Sequence, residues 1–264
     1  MNIENVQAIC FSPTGTSKKV VQAIAEGCNG GAVVETDVTL PGAPSCGSLG
    51  ANDLAVIGVP VYAGRVAPLA AERIQGLSGN DTPAVIVVLY GNREFEDALI
   101  ELRDIVVAKG FSVVGAAAFI GEHSFSTSEL PIAAGRPDAD DTAKAREFGR
   151  AVMEKIAAQP AGAATVVDVP GNVPYKDGVG NFPFVPIVDD TACVKCGTCV
   201  ENCPTGSVVL DDAVAITVET CILCAACVKG CPEDALSLKT TPIQEKRVAM
   251  SENLKARKEP QIFM

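Results

Sequence analysis

Short apolar runs alternate with longer amphipathic stretches along the first 158 residues. The runs VQAICF (6–11), AVVETDV (32–38), LAVIGV (54–59), AVIVVLY (84–90) and FSVVGAAAFI (111–120) have strand length. Short apolar strands of this kind are expected to be covered on both faces. Between them lie helical stretches at 17–27, 68–77, 95–110 and 140–158. In the third of these, Leu99, Leu102, Val106 and Val107 are expected on one face, and Lys109-Gly110 reads as a C-terminal stop. Strands alternating with helices predict an α/β fold, a doubly wound five-stranded parallel sheet. Its ligand crevice lies at the carboxyl ends of the strands.

The pattern stops at 159–186. Pro160, Pro170, Pro174, Pro183 and Pro186 alternate there with Gly162, Gly171, Gly178 and Gly180. Val166, Val167, Val169, Tyr175, Phe182 and Phe184 are too apolar for a bare spacer, so this linker is expected to pack along both neighbours. The division predicted is 1–158, the linker 159–186, a small α+β domain over 187–240, and a basic C-terminal tail over 241–264. The tail carries Lys246, Arg247, Lys255, Arg257 and Lys258 and reads as a solvated helix or frayed end.

Within 187–240 a segment repeats at an offset of 28 residues. Cys193, Cys196, Cys199 and Cys203 align with Cys221, Cys224, Cys227 and Cys231, and Pro204 aligns with Pro232. This is C-x2-C-x2-C-x3-C-P, written twice. Three thiolates in a tight loop can each reach a different iron of one cubane. In two-cluster proteins the last Cys of each run serves the other cluster. One [4Fe-4S] cluster would then use Cys193, Cys196, Cys199 and Cys231, and the other Cys221, Cys224, Cys227 and Cys203. Gly197, Thr198, Ala225 and Ala226 leave room for a cubane. The alternatives, structural zinc and disulfides, fit less well. Zinc calls for separated cysteine pairs, and disulfides call for an oxidising compartment. Residues 187–240 resemble the bacterial two-cluster ferredoxin family over their whole length.

Composition narrows the remaining choices. The chain has 264 residues, a length typical of two domains, and a net charge of −11. That balance, with no Trp and 5% aromatics, argues against nucleic acid as a partner. No apolar run approaches the ~20 residues that span a bilayer. The first residues, MNIENVQAICF, lack the basic start of an export signal, so a soluble cytoplasmic protein is expected.

After the first strand comes Phe11-Ser12-Pro13-Thr14-Gly15-Thr16-Ser17-Lys18, leading into a helix. Hydroxyls and amides at a helix start form an anion site, or merely a cap. The loop is neither a Walker loop nor G-x-G-x-x-G. It resembles the phosphate loop of flavodoxins, and so implies the strand order 2-1-3-4-5 and FMN. Ser12, Thr14, Gly15, Thr16 and Ser17 would then hold the phosphate. The loops after strands three and four, Pro60-Val61-Tyr62-Ala63-Gly64-Arg65 and Tyr90-Gly91-Asn92-Arg93-Glu94-Phe95, would enclose the ring. Tyr62 or Tyr90 would stack on it, Gly64 and Gly91 would let amides approach, and Arg65 and Arg93 would offset charge or form rim salt bridges. The whole chain resembles fusions of a flavodoxin-like domain with a two-cluster ferredoxin.

His123, the single histidine, reads as a loop residue near the strand ends; Cys10 and Cys28 read as small buried hydrophobes, and Cys46 as a loop thiol. The resemblance implies an electron-transfer protein that passes electrons between FMN, the clusters and a reductase or dehydrogenase partner. The alternatives are an FMN-dependent reductase of a small substrate fed by the clusters, and a redox-sensing regulator.

Overall fold

A computed structural model describes residues 3–28, 32–43, 47–158, 167–178, 180 and 182–264. Five parallel strands form the main sheet: β1 (Asn5–Cys10), β2 (Ala32–Asp37), β3 (Asp53–Tyr62), β4 (Thr82–Tyr90) and β5 (Phe111–Ile120). Their order is 2-1-3-4-5, with β1 between β2 and β3. This is the predicted flavodoxin-like topology.

Four of the five apolar runs are buried because both faces are covered; β2, at the sheet edge, leaves Val33 and Val34 exposed. In β4 all nine residues are buried. Ile86, Val88 and Tyr90 point into one core and Val85, Val87 and Leu89 into the other. Helices α1 (Thr16–Cys28) and α4 (Ala139–Ala158) cover the second face. Gly27 and Gly149 let these two helices meet backbone to backbone: a Cβ on Gly27 would strike Arg146, and one on Gly149 would strike the Ile24 carbonyl. On the other face lie α2 (Pro68–Ile74), which opens on a proline at its first turn, and α3 (Ala98–Val107). Leu99, Leu102 and Val106 of α3 are buried as predicted, whereas Val107 is 52% exposed. At 3.6 residues per turn it falls just outside the buried arc.

The second unit is built from very short elements. Strands β6 (Ile187–Val188) and β9 (Leu236–Ser237) pair antiparallel, as do β7 (Val208–Leu210) and β8 (Val214–Ile216). Helices α5 (Thr198–Glu201) and α6 (Ala226–Lys229) each carry the third cysteine of a run. The 28-residue repeat extends to the backbone: Lys195 and Leu223, Gly197 and Ala225, and Gly206 and Asp234 all have positive φ. Left-handed residues at equivalent places turn both loops in the same way.

The C-terminal segment departs from the expected solvated or frayed end. It runs as α7 (Thr241–Asn253) and returns as β10 (Gln261–Phe263), antiparallel to β5. It thereby pairs the outer edge of the main sheet. Asn92 Nδ2 donates to the carbonyls of Leu254 (2.8 Å) and Ala256 (2.9 Å), and Lys258 Nζ donates to the Arg93 carbonyl (2.6 Å). Arg247, Arg257 and Lys258 thus have partners on the sheet unit, including the Arg257–Asp138 pair.

Part of the 159–186 linker, residues 159–166 with Val166 among them, lies outside the described residues. The described part straps across α3. Val167 and Val169 are buried in the core, and buried Asp97 accepts the N–H groups of Asn172 and Lys176, both at 2.8 Å. Phe182 and Phe184 instead pack with Leu223, Leu238, Ile243 and Phe125, between the two units. Among the described residues, no helix is long and apolar enough to cross a membrane.

Candidate functional site

The carboxyl ends of the parallel strands meet the second unit around a cavity of about 310 Å³. From the sheet unit it is lined by Thr14, Thr16, Ser17, Pro60, Val61, Tyr62, Ala63, Tyr90, Gly91 and Arg93. Ile222, Leu223 and Cys224 of the second unit, Phe182 of the linker, and Lys246 and Met250 of α7 close the far side. All three predicted loops therefore reach one space.

Not every predicted residue does. Ser12 is spent on the turn: its Oγ accepts the Lys18 N–H (3.0 Å), and its own N–H is held by Thr39 Oγ1 (2.7 Å). Gly15, at φ +80°, supplies the turn conformation, and its N–H donates to the Ser12 carbonyl (3.1 Å). Arg65 points away and makes a two-pronged pair with Glu101 (2.8 and 2.7 Å), under the ring of Tyr175 at 4.7 Å. Gly64 packs under Glu96, and Asn92 anchors the C-terminal segment. Phe95 is buried against Tyr90, ring centroids 5.5 Å apart. Of the two predicted arginines only Arg93 lines the cavity, and it is paired with Glu96 (2.8 Å). Tyr175 lies on α3, where its hydroxyl donates to Asp104 (2.5 Å). It therefore plays no part in the contact between the units.

Two hydroxyls in the cavity wall have no partner. Ser17, fully buried, has an unpartnered Oγ, and so has the hydroxyl of Tyr90, which is 2% exposed. A buried hydroxyl without a hydrogen bond is costly, and a polar ligand would relieve it. Ser17 sits in the first turn of α1, where backbone amides favour an anion. The residues present thus fit a phosphate-bearing ligand with a planar apolar portion.

His123, in the loop that follows β5 at the strand ends, lines this cavity. Its ring occupies the place a Cβ on Gly91 would take, so Gly91 is required for this packing. Its Nδ1 accepts the Phe125 N–H (3.0 Å), which leaves Nε2 as the protonated, donating nitrogen. Burial, with Arg93 and Lys229 nearby, lowers its pKa to about 4, so the ring is neutral at neutral pH. The sequence signal for it was its position directly after β5, at the ligand-binding end of the sheet.

The eight clustered cysteines ring two small cavities. One is lined by Cys193, Cys196, Cys199 and Cys231, the other by Cys203, Cys221, Cys224 and Cys227. The fourth cysteine of each run lines the cavity of the other set. Among the described residues no disulfide forms, and no three His, Cys, Asp or Glu side chains group as a single metal ion would need. The first set is the outer one, with Cys196 exposed; Cys224 and Cys227 of the inner set are buried. Cys10 and Cys28 are buried as expected, and burial pushes both thiols up to about 12. Cys46 lies outside the described residues.

Residues 192–236 match the 4Fe-4S dicluster domain family. No curated protein matches the chain. A flavodoxin from the domain Archaea aligns at 12% identity and a TM-score of 0.39, over 58% of this chain and 99% of that one. Flavodoxin 1 from Bacillus cereus aligns at 12% identity and 0.40, over 60% and 100%. Rubredoxin oxygen:oxidoreductase from Desulfovibrio gigas aligns at 14% and 0.38, over 60% of this chain and 38% of that one. At such values the fold of the first unit rests on its own strand order and register. The chain joins a flavodoxin-like α/β unit to a 4Fe-4S dicluster domain, an architecture with an electron-transfer role.

Proposed function

We propose that this protein is an electron carrier with FMN in the strand-end cavity and two [4Fe-4S] clusters on the two thiol sets. The observation that carries the reading is shared lining: Ile222, Leu223 and Cys224 border both the strand-end cavity and the inner thiol cavity. A flavin exchanges electrons singly or in pairs and a cubane one at a time, so together they would link two-electron donors to one-electron acceptors.

The chain's own residues divide the work. Thr14, Thr16 and Ser17 donate to the phosphate, with the Ser17 hydroxyl gaining its missing partner. Tyr62, at the end of β3, lies on the side of the inner thiols, and Tyr90 offers its free hydroxyl. Neutral His123 presents an Nε2–H donor. Phe182, Leu223 and Met250 exclude water from the space between the units. Cys193, Cys196, Cys199 and Cys231 ligate the outer cluster and Cys221, Cys224, Cys227 and Cys203 the inner one. The functional domains are 1–158 and 187–240, joined by the strap 159–186 and clasped by 241–264. The thiolates suit a reducing compartment such as the cytoplasm. The net charge of −11 suits a redox partner with a basic face, a reductase or dehydrogenase.

A neighbouring cavity of about 160 Å³, lined by Tyr62, Ala67, Pro68, Leu69, Phe182 and Cys221 among others, favours a second reading. There a small substrate would be reduced beside the flavin. Anaerobic purification tests both. The carrier reading expects one FMN per chain, with about eight irons and eight acid-labile sulfides. It also expects that Cys203→Ser alters the cluster of Cys221, Cys224 and Cys227, and not that of its sequence neighbours. A chain purified without flavin that fails to take up FMN would overturn it. Turnover of a small acceptor that is abolished by filling the 160 Å³ cavity, as in Ala67→Phe, would favour the reductase.

A further inference from the structure

A cation that forms no ion pair reaches the wall of the inner thiol cavity through Pro204. Arg73 belongs to α2 of the sheet unit. Its Nη2 donates to the Pro204 carbonyl (2.5 Å), and its Nη1 to the carbonyls of Val38 (2.7 Å) and Thr39. Pro204 follows the ligand Cys203 and itself lines the inner cavity. The guanidinium is therefore one residue removed from the thiols and tied to them across the boundary between units.

Six other arginines each face a carboxylate, as Arg65 faces Glu101 and Arg136 faces Asp141. Among the described residues Arg73 forms no ion pair: its hydrogen bonds go to neutral carbonyls, its guanidinium lies 5.8 Å from the Phe11 ring centre, and Glu72 is the one carboxylate whose charge acts on it. Arg247 is likewise held by carbonyl groups, of Phe125 and Leu238, but these do not line the inner cavity. An arginine stays charged at every pH a protein meets, and this half-buried guanidinium, with no ion pair to neutralise it, keeps a net positive field that solvent screens only in part. The outer cavity has no such bias: Lys195 and Glu233 both line it, and Cys196 is open to the screening of solvent.

We propose that Arg73 is a tuning residue for the inner cluster, holding a fixed positive charge that favours the reduced, more negative state and sets its potential above that of the outer cluster. The inference rests on the ligation proposed above. Reduction adds one negative charge to a group already bound by four thiolates, and the potential of such a group follows the charge and hydrogen bonding around it. Because Arg73 lies in the sheet unit, that unit would tune a group it does not ligate. Docking of the units and potential of the inner cluster would then be linked. Arg73 is a positioning and electrostatic residue here, without contact to a reacting atom.

The test is an anaerobic redox titration of the intact chain, followed by electron paramagnetic resonance, with Cys203→Ser identifying the inner signal. R73Q keeps a donor for the carbonyls and removes the charge, whereas R73K keeps the charge and loses the fork. R73Q should lower the reduced-to-oxidised ratio of the inner cluster about tenfold at fixed potential, equivalent to about 59 mV for one electron, and leave the outer cluster in place. R73K should retain most of the wild-type value. The proposal is overturned if neither cluster moves, if both move equally, or if R73K falls as far as R73Q, which would make the arginine only a brace. An iron and sulfide count showing fewer than two clusters in the wild type would defeat the ligation reading first and this inference with it.

Discussion

The two units hold themselves together in different ways. In the sheet unit, long strands are buried on both faces, and fully buried side chains such as Phe11, Ile57, Leu102, Phe119 and Phe148 fill two continuous cores. The cysteine unit has strands of two or three residues and helices of four. Four of the eight clustered cysteines are counted among its buried apolar residues. On the proposed ligation, one chain uses two sources of order: hydrophobic burial in the first unit, and metal–thiolate bonds around the two cavities in the second.

The sharpest way to break this comparison is to remove the iron. Metal binding at such sites contributes folding free energy directly. Chelated under anaerobic conditions, the chain should lose amide-exchange protection throughout 187–240, while β1, β3 and β4 keep theirs. Protection that survived in the cysteine unit would show that its small apolar cluster suffices.

The next largest effect lies in the sheet unit. Arg136 and Asp141 form a buried pair, 7% and 0% exposed, and Arg136 also donates to the Lys258 carbonyl (3.2 Å). Arg136→Ala leaves the buried Asp141 carboxylate with only the Asp138 N–H (2.9 Å) and Arg257 at 3.9 Å, and should cost up to about 3–5 kcal/mol by denaturant titration. The cysteine unit's iron content should be unchanged. Loss of iron at equal stability would reverse the assignment of these residues to the first unit.

The pH response of the cavity between the units sharpens the comparison further. The pKa of His123 is about 4 in the folded state, against an ordinary value of 6.5. Between those values the unfolded chain binds the additional proton. The contribution of His123 to stability is thus complete above pH 6.5 and is lost as the pH falls towards 4, by up to about 3 kcal/mol. The difference between wild type and His123→Gln should follow that window. A chemical-shift titration of this single histidine with a midpoint near 6.5 would contradict the burial that causes the shift.

The smallest effect concerns the phosphate loop. A hydrogen bond to a charged group contributes about 1.5–3 kcal/mol, so Ser17→Ala and Thr14→Ala should each weaken FMN roughly tenfold or more. Riboflavin, lacking the phosphate, should bind the wild type and Ser17→Ala alike. A variant that weakened both ligands equally would remove this loop from the phosphate end.

Much of this was legible in the residues. Five apolar runs predicted five strands, with ends agreeing to within about three residues; in the four inner or buried strands, burial on both faces selects apolar residues, whereas edge strand β2 also carries Glu35, Thr36 and Asp37. The spacing makes crossed thiol sets the expectation, because three cysteines in one tight loop leave a fourth site to be filled from elsewhere, and each cavity is lined by such a set. The loops were legible as loops but not residue by residue. Arg65, Asn92 and Phe95 share segments with Val61, Tyr62 and Gly91, and only side-chain direction separates those that line the cavity from those turned to Glu101, Leu254 and Tyr90.

By itself, then, the sequence determined what depends on neighbours along the chain: the strand and helix periods, the turn residues, and the cysteine spacing. Only the tertiary structure decided what depends on meetings across it. His123 enters the strand-end cavity because Gly91, 32 positions earlier, leaves room for its ring. The basic C-terminal segment becomes a clasp because Asn92 and the open edge of β5 offer unpaired donors and acceptors. Arg73 reaches Pro204 across 131 residues of sequence. No local pattern encodes such contacts, because their free energy appears only when both surfaces are already folded.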